Sequence, residues 1–205
     1  MDNFTTILLY FTSFLTLMNP MGIMPVFLTM TSELSKRERR KTAIKAVITA
    51  TSVLILFAFA GEYLFSFFGI SVAGLKVVGG VLFFVMGYDM LNARLSPIKI
   101  KPEDVDKYVD DISITPLGIP MIAGPGAITN AIVLMGESAD MTSKMVVLIS
   151  ILLVSVVLLS VLIGAVGITK LLGETGNKIM MKLMGLIVMV IAVEFFFSGI
   201  SPYIQ

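Results

Sequence analysis

Six stretches of this chain run apolar for about 20 residues at a time, the length that carries an α-helix across the hydrocarbon of a bilayer. They cover residues 4–30, 42–59, 72–91, 114–135, 146–171 and 179–197. Lipid gives an unpaired backbone N–H or C=O no partner, so each stretch is expected to satisfy its own backbone as a helix. Composition agrees. The chain is 57% hydrophobic and 14% charged, with a mean hydropathy of +0.97. A soluble domain is roughly 45–50% apolar and about 25% charged. The fold class read from this is an all-α integral membrane protein with six transmembrane helices. The start, Met-Asp-Asn-Phe, carries no basic segment, so the first stretch is expected to be a retained span rather than a signal peptide.

Two of the six stretches contain their own interruptions. The first holds LTLMNPMGIMPVFL, residues 15–28, with Pro20, Gly22 and Pro25 in its middle. The fourth holds IPMIAGPGAITN, residues 119–130, with Pro120, Gly124, Pro125 and Gly126. A proline inside a helix removes one ladder hydrogen bond and clashes with the preceding turn, at about 3 kcal/mol. A shift of 105 residues places Pro20 on Pro125, Asn19 on Gly124 and Gly22 on Ala127; one residue more places Lys76 on Lys182 and Gly79 on Gly185. Each half then reads as broken helix, plain helix, and a glycine-containing helix that begins at a lysine. With three spans per half, the halves must lie in opposite orientations, and paired Gly/Pro interruptions in such inverted repeats point to a binding site. The expected organisation is a first repeat over residues 1–93, a polar cytoplasmic linker over 94–113 and a second repeat over 114–205.

Irregular backbone survives at membrane depth only against protein or a watery cavity. Each interruption exposes the N-terminus of a following half-helix, with free N–H donors and a partial positive charge. Two such ends meeting near the midplane make a cradle for a carboxylate. The substrate-binding residues expected from this are Thr16, Asn19, Pro20, Met21 and Gly22 in the first half, with Gly124, Pro125, Gly126, Ala127, Thr129 and Asn130 in the second. Proline suits the first position of the new helix, and Asn19 suits its N-cap. Hydroxyls and amides such as those of Ser13, Thr16, Asn19, Thr129 and Asn130 can hold an ammonium group or coordinate an ion. Glycine and alanine beside the cradle leave room for a small zwitterion and not for a bulky amphiphile.

The charges set orientation. Lys36, Arg37, Arg39, Arg40 and Lys41 follow the first span; Arg94, Lys99, Lys101 and Lys107 follow the third; Lys170 and Lys178 follow the fifth. All three loops share one face, which the distribution of lysine and arginine assigns to the cytoplasm, leaving both termini outside. The membrane expected is the plasma or inner membrane. Ionisable side chains within spans are costly and functional by default, so Asp89 and Glu194 are the candidate proton carriers. Neither cysteine nor histidine occurs in the chain, which excludes disulfides, thiolate chemistry and histidine-based metal or triad sites. No cofactor, metal or nucleic acid is expected; the partners are a small-molecule substrate, a coupling proton and the bilayer.

The pairing of NPMGIMPVFL with ITPLGIPMIAGPGAITNAI one half-chain later resembles the MarC family of membrane proteins, which includes the SnatA-type small neutral amino acid transporters. The resemblance covers essentially the whole chain. It implies transport of glycine, alanine and similar amino acids driven by a proton gradient. The positions that carry the family motif are Asn19, Pro20, Gly22 and Pro25, then Pro120, Gly124, Pro125, Gly126 and Ile128. Asn19 stands where many relatives carry Asp. Competing readings are an exporter of another small metabolite and a non-transporting scaffold. An intramembrane aspartyl protease would need a Gly-x-Gly-Asp partner to the Gly-Tyr-Asp at 87–89, and the sequence has none.

Overall fold

The structure, a computed structural model, describes residues 3–92 and 102–204. It is helical throughout, with no strand among the described residues. Five helical segments are long and apolar enough to cross a membrane, six if a bent pair counts as one span. The first apolar stretch is two helices, α1 (Asn3–Met18) and α2 (Pro20–Met30). Then come α3 (Lys36–Phe68) and α4 (Val72–Leu91). A short amphipathic helix, α5 (Val105–Ile112), leads into an irregular segment over Ser113–Ile122, followed by α6 (Pro125–Gly136). The chain ends in α7 (Met141–Ile204), which is interrupted at Gly173 (φ +65°, ψ −179°). That conformation is open to glycine and closed to side-chain-bearing residues. It separates a first arm, Met141–Ala165, from a second, Lys178–Ile204.

The helices start and stop for local reasons. Ser35 and Glu38 form a reciprocal capping box at the head of α3, and Gly69 ends that helix in the left-handed region at φ +64°. Part of the polar linker is ordered by charge. Lys41 pairs with Asp106 at 2.6 Å, Lys45 pairs with Asp110, and the Tyr108 hydroxyl donates to the Met30 carbonyl. These contacts lay α5 along the basic start of α3, and Val109 and Ile112 turn inward to the core. Residues 93–101 of that linker lie outside the described residues.

The tightest packing joins α4 to the second arm of α7. A Cβ on Gly80 would stand 2.7 Å from the Ala192 carbonyl, one on Gly87 or Gly185 2.7 Å from the other's carbonyl, and one on Gly199 2.7 Å from that of Ala73. The two helices therefore run antiparallel, backbone against backbone, with a small residue at every seventh position: Ala73, Gly80, Gly87 against Gly185, Ala192, Gly199. Small residues at a membrane helix interface gain dispersion contacts that larger side chains would block.

Candidate functional site

Asn19 interrupts the first apolar stretch. It sits in the left-handed region at φ 41°, ψ 67°, which asparagine tolerates better than most residues. Its side-chain oxygen accepts the Gly22 N–H at 3.1 Å, and its carbonyl accepts the N–H groups of Gly22 and Ile23 at 3.0 and 3.2 Å. Pro20, with no N–H to leave unpaired, takes the first position of α2. A Cβ on Gly22 would lie 2.4 Å from the Asn19 amide nitrogen, so the cap itself requires glycine there. The interruption occupies one residue and mends itself.

The second interruption is longer. Between Ser113 and Ile122 the backbone is extended at Thr115 (φ −132°, ψ 122°) and Ile119 (φ −132°, ψ 126°), and the peptide bonds before Pro116 and Pro120 are cis. Gly118 lets this segment pass close to α3, where a Cβ would meet Thr49 at 3.0 Å. The chain then bends by 61° into α6. Gly124 precedes Pro125, and among the described residues no side chain caps the helix. The N–H groups of Gly126 and Ala127 thus lack the help that Asn19 gives α2. Gly126, Thr129 and Asn130 lie three and four residues apart, on one face of α6. Thr129 is 6% exposed. Its hydroxyl and the Asn130 amide nitrogen are buried without a hydrogen-bond partner among the described residues. The Asn130 oxygen accepts from Ser13 of α1 at 3.2 Å.

Both interruptions flank one cavity. Thr16, Asn19 and Gly22 reach it from the first, and Met121 from the second; Phe83, Met86 and Met90 of α4 and Val188 and Ile191 of α7 close it. Its volume is about 30 Å³, room for a water or two and too little for an amino acid. Two aromatic rings take up the space above α6. A Cβ on Gly124 would lie 2.5 Å from Phe83 Cζ, and one on Gly126 2.2 Å from Phe195 Cζ; the ring centroids are 6.1 Å apart. α4 meets the start of α6 at Gly79, where a Cβ would stand 2.3 Å from Pro125 Cβ. Gly79 lies near the middle of α4, so the start of α6 sits at mid-span.

The other residues singled out in the sequence are distributed as follows. Pro20, Pro125, Gly126 and Ala127 are buried, and neither Pro20 nor any of Gly124, Pro125, Gly126, Ala127, Thr129 and Asn130 lines the cavity, which α6 adjoins through the Phe83 ring. Met21 is 58% exposed and does not line the cavity. The Thr16 hydroxyl bonds the Thr12 carbonyl of its own helix. Asp89 is half-buried and Glu194 exposed, and neither lines the cavity. Lys76 reaches Ser198 at 3.3 Å. Phe83 and Phe195 were invisible to motif reading, since a phenylalanine in an apolar helix is the commonest filler. One signal was present: each stands three residues after the middle small residue of its helix, Gly80 or Ala192.

Known proteins resemble this chain along its length. The MarC family of integral membrane proteins matches over residues 4–204. A UPF0056 membrane protein of Methanocaldococcus jannaschii is 36% identical over 195 residues, which is 94% of this chain and 95% of the relative. One of Pyrococcus abyssi is 36% identical over 183 residues, 89% and 88% of the two chains. One of Aquifex aeolicus is 32% identical over 197 residues, 95% and 92%. No solved structure matches the chain.

Proposed function

The chain belongs to the MarC family of integral membrane proteins, and on that premise we propose that it is a secondary transporter of small neutral amino acids such as glycine and alanine, coupled to protons. The observation that carries this reading is that two helix interruptions, distant in sequence, both contribute residues to one cavity, and the second of them leads into an uncapped helix. The substrate carboxylate would take the N–H groups of Gly126 and Ala127, where the helix dipole favours negative charge. The unpaired donors of Thr129 and Asn130, on the same face, add to that preference. A buried donor without a partner costs about 1–3 kcal/mol, a penalty that an arriving carboxylate removes. The ammonium group would face the Asn19 and Thr16 oxygens.

The cavity is too small for any amino acid while Phe83 and Phe195 cover α6, so this conformation is a closed one in the proposed cycle. Loading requires the two rings to part. The small-residue seam supports a way of doing so. A shift of 112 residues maps Ala73, Gly80, Phe83 and Gly87 onto Gly185, Ala192, Phe195 and Gly199; Gly80 and Phe83 face their own counterparts, while Ala73 meets Gly199 and Gly87 meets Gly185, as antiparallel helices require. An inverted pair of three-helix repeats has this property about its pseudo-two-fold axis. Rocking of one repeat against the other about the seam would open the cavity to each side in turn. The proton carriers Asp89 and Glu194 stand apart from the cavity, so proton and substrate would be tied by this rocking and not by contact. In this reading the protein sits in the cell membrane with its basic loops in the cytoplasm and its termini outside.

Reconstitution into proteoliposomes tests the proposal. With the exterior acidic, radiolabelled glycine or alanine should accumulate and an uncoupler should abolish the gain. Uptake of both no greater than that of a Gly126→Val protein overturns the amino acid assignment.

A further inference from the structure

A second cavity lies on the side of the basic loops. It has a volume of about 330 Å³ between the end of α2, the first turn of α3 and the first arm of α7, and its walls include Lys36, Arg39, Arg40, Phe27, Leu162 and Ile163. Its chemistry is divided. Three cations form one side, and among the described residues no acidic residue lines it. Apolar side chains form the other: Phe27 and Leu162 are buried, while Ile163 is 45% exposed at the edge.

The neighbouring charges show why these cations are distinctive. Lys41 and Lys45, one and five residues beyond Arg40 on α3, are paired with Asp106 and Asp110 of α5. Glu38, the acid nearest in sequence, is tied to the Ser35 N–H at 2.7 Å in the capping box. Arg39 is held by the Thr31 and Ser32 carbonyls at 2.7 and 2.6 Å, which uses two of its five donors and fixes the guanidinium in place. Lys36 and Arg40 form no salt bridge among the described residues. Three like charges facing one cavity repel one another unless an anion joins them.

The occupant must therefore be anionic at one end and apolar at the other. The cations occupy the first turn of α3, ahead of its apolar run, where a spanning helix of this length would reach the headgroups, and the opposite wall is apolar. We infer that this cavity binds the phosphodiester headgroup of an anionic phospholipid, with its acyl chains running past Ile163. Basic pockets between membrane helices recognise such headgroups on the cytoplasmic side. The inference is independent of the transport reading, because its measurement involves no amino acid.

The test uses the full chain in detergent and in nanodiscs, with phosphatidylglycerol, phosphatidylcholine and water-soluble glycerol phosphate as probes. Native mass spectrometry should show phosphatidylglycerol retained in preference to phosphatidylcholine, and glycerol phosphate should not displace it. Lys36→Gln with Arg40→Gln should weaken phosphatidylglycerol binding about 30-fold, at ~1 kcal/mol per cation. Arg37→Gln with Lys107→Gln removes the same charge outside the cavity and should leave binding unchanged. Should the first pair fail to fold, Arg40→Gln alone should still cost about fivefold. Equal retention of the two lipids, or equal loss in both paired variants, overturns the inference. Displacement by glycerol phosphate at matching affinity assigns the site to a free phosphate and overturns the lipid.

Discussion

The two interruptions solve the same problem in opposite ways. At Asn19 a single side chain accepts the N–H that the broken helix exposes, and α2 resumes at once. At Gly124 no side chain does so among the described residues; a ten-residue irregular segment leads in, and the start of α6 is roofed by carbon. The first is therefore a structural joint that pairs the Gly22 and Ile23 N–H groups within itself. The second holds back donors, at Gly126, Ala127, Thr129 and Asn130, behind two movable rings. A site that must bind and release a polar molecule needs that kind of unmet demand, and a joint does not.

The largest contrast should come from filling the second interruption. In Gly126→Val the added carbons meet Phe195 and Leu17, and transport should be abolished while size-exclusion profiles stay monodisperse. Wild-type glycine affinity by calorimetry in that variant would remove α6 from the site. Next comes the joint. Asn19→Ala loses the cap and forces a left-handed alanine, together about 2 kcal/mol of unfolding free energy. Asn19→Gly keeps the backbone freedom and should lose well under ~1 kcal/mol. Equal losses would mean that the left-handed turn costs nothing.

Thr129→Val separates stability from function. Removing a buried unpaired hydroxyl should stabilise the protein by about 1 kcal/mol while weakening substrate binding. A destabilised variant with intact binding would show that the hydroxyl has a structural partner. The smallest change is Ser13→Ala, which removes the hydrogen bond to Asn130. It should cost about 0.6 kcal/mol, the average for an interhelical bond in a membrane, and chemical unfolding in mixed micelles can resolve it against Thr129→Val.

Much of the scaffold was readable in advance because it depends on local quantities. A run of 20 apolar residues declares a helix whatever it packs against, and Pro20 and Pro125 each stand at the first position of a new one. Other features escaped for equally physical reasons. Asn19 and Gly124 look like matched partners in the repeat, yet only asparagine can cap, so the equivalence hid a difference in chemistry. Met21 sits in the motif beside Gly22, but a helix turns successive side chains by about 100°, and Met21 faces outward. The polar linker reads as solvated, and four charges from two elements had to be brought together before α5 could be recognised as docked.

The residues alone determined that this chain crosses a membrane as helices, with proline and glycine where a helix has to start afresh. Those outcomes follow from solvation and backbone sterics, which act within a few residues. Tertiary structure alone decided that Phe83 and Phe195 cover α6, that α4 and α7 meet at the register of Gly80 and Ala192, and that the central cavity is closed to a few tens of Å³. The physical reason is that contact between distant helices is set by how closely two backbones can approach, a property of pairs of surfaces that neither sequence segment carries by itself.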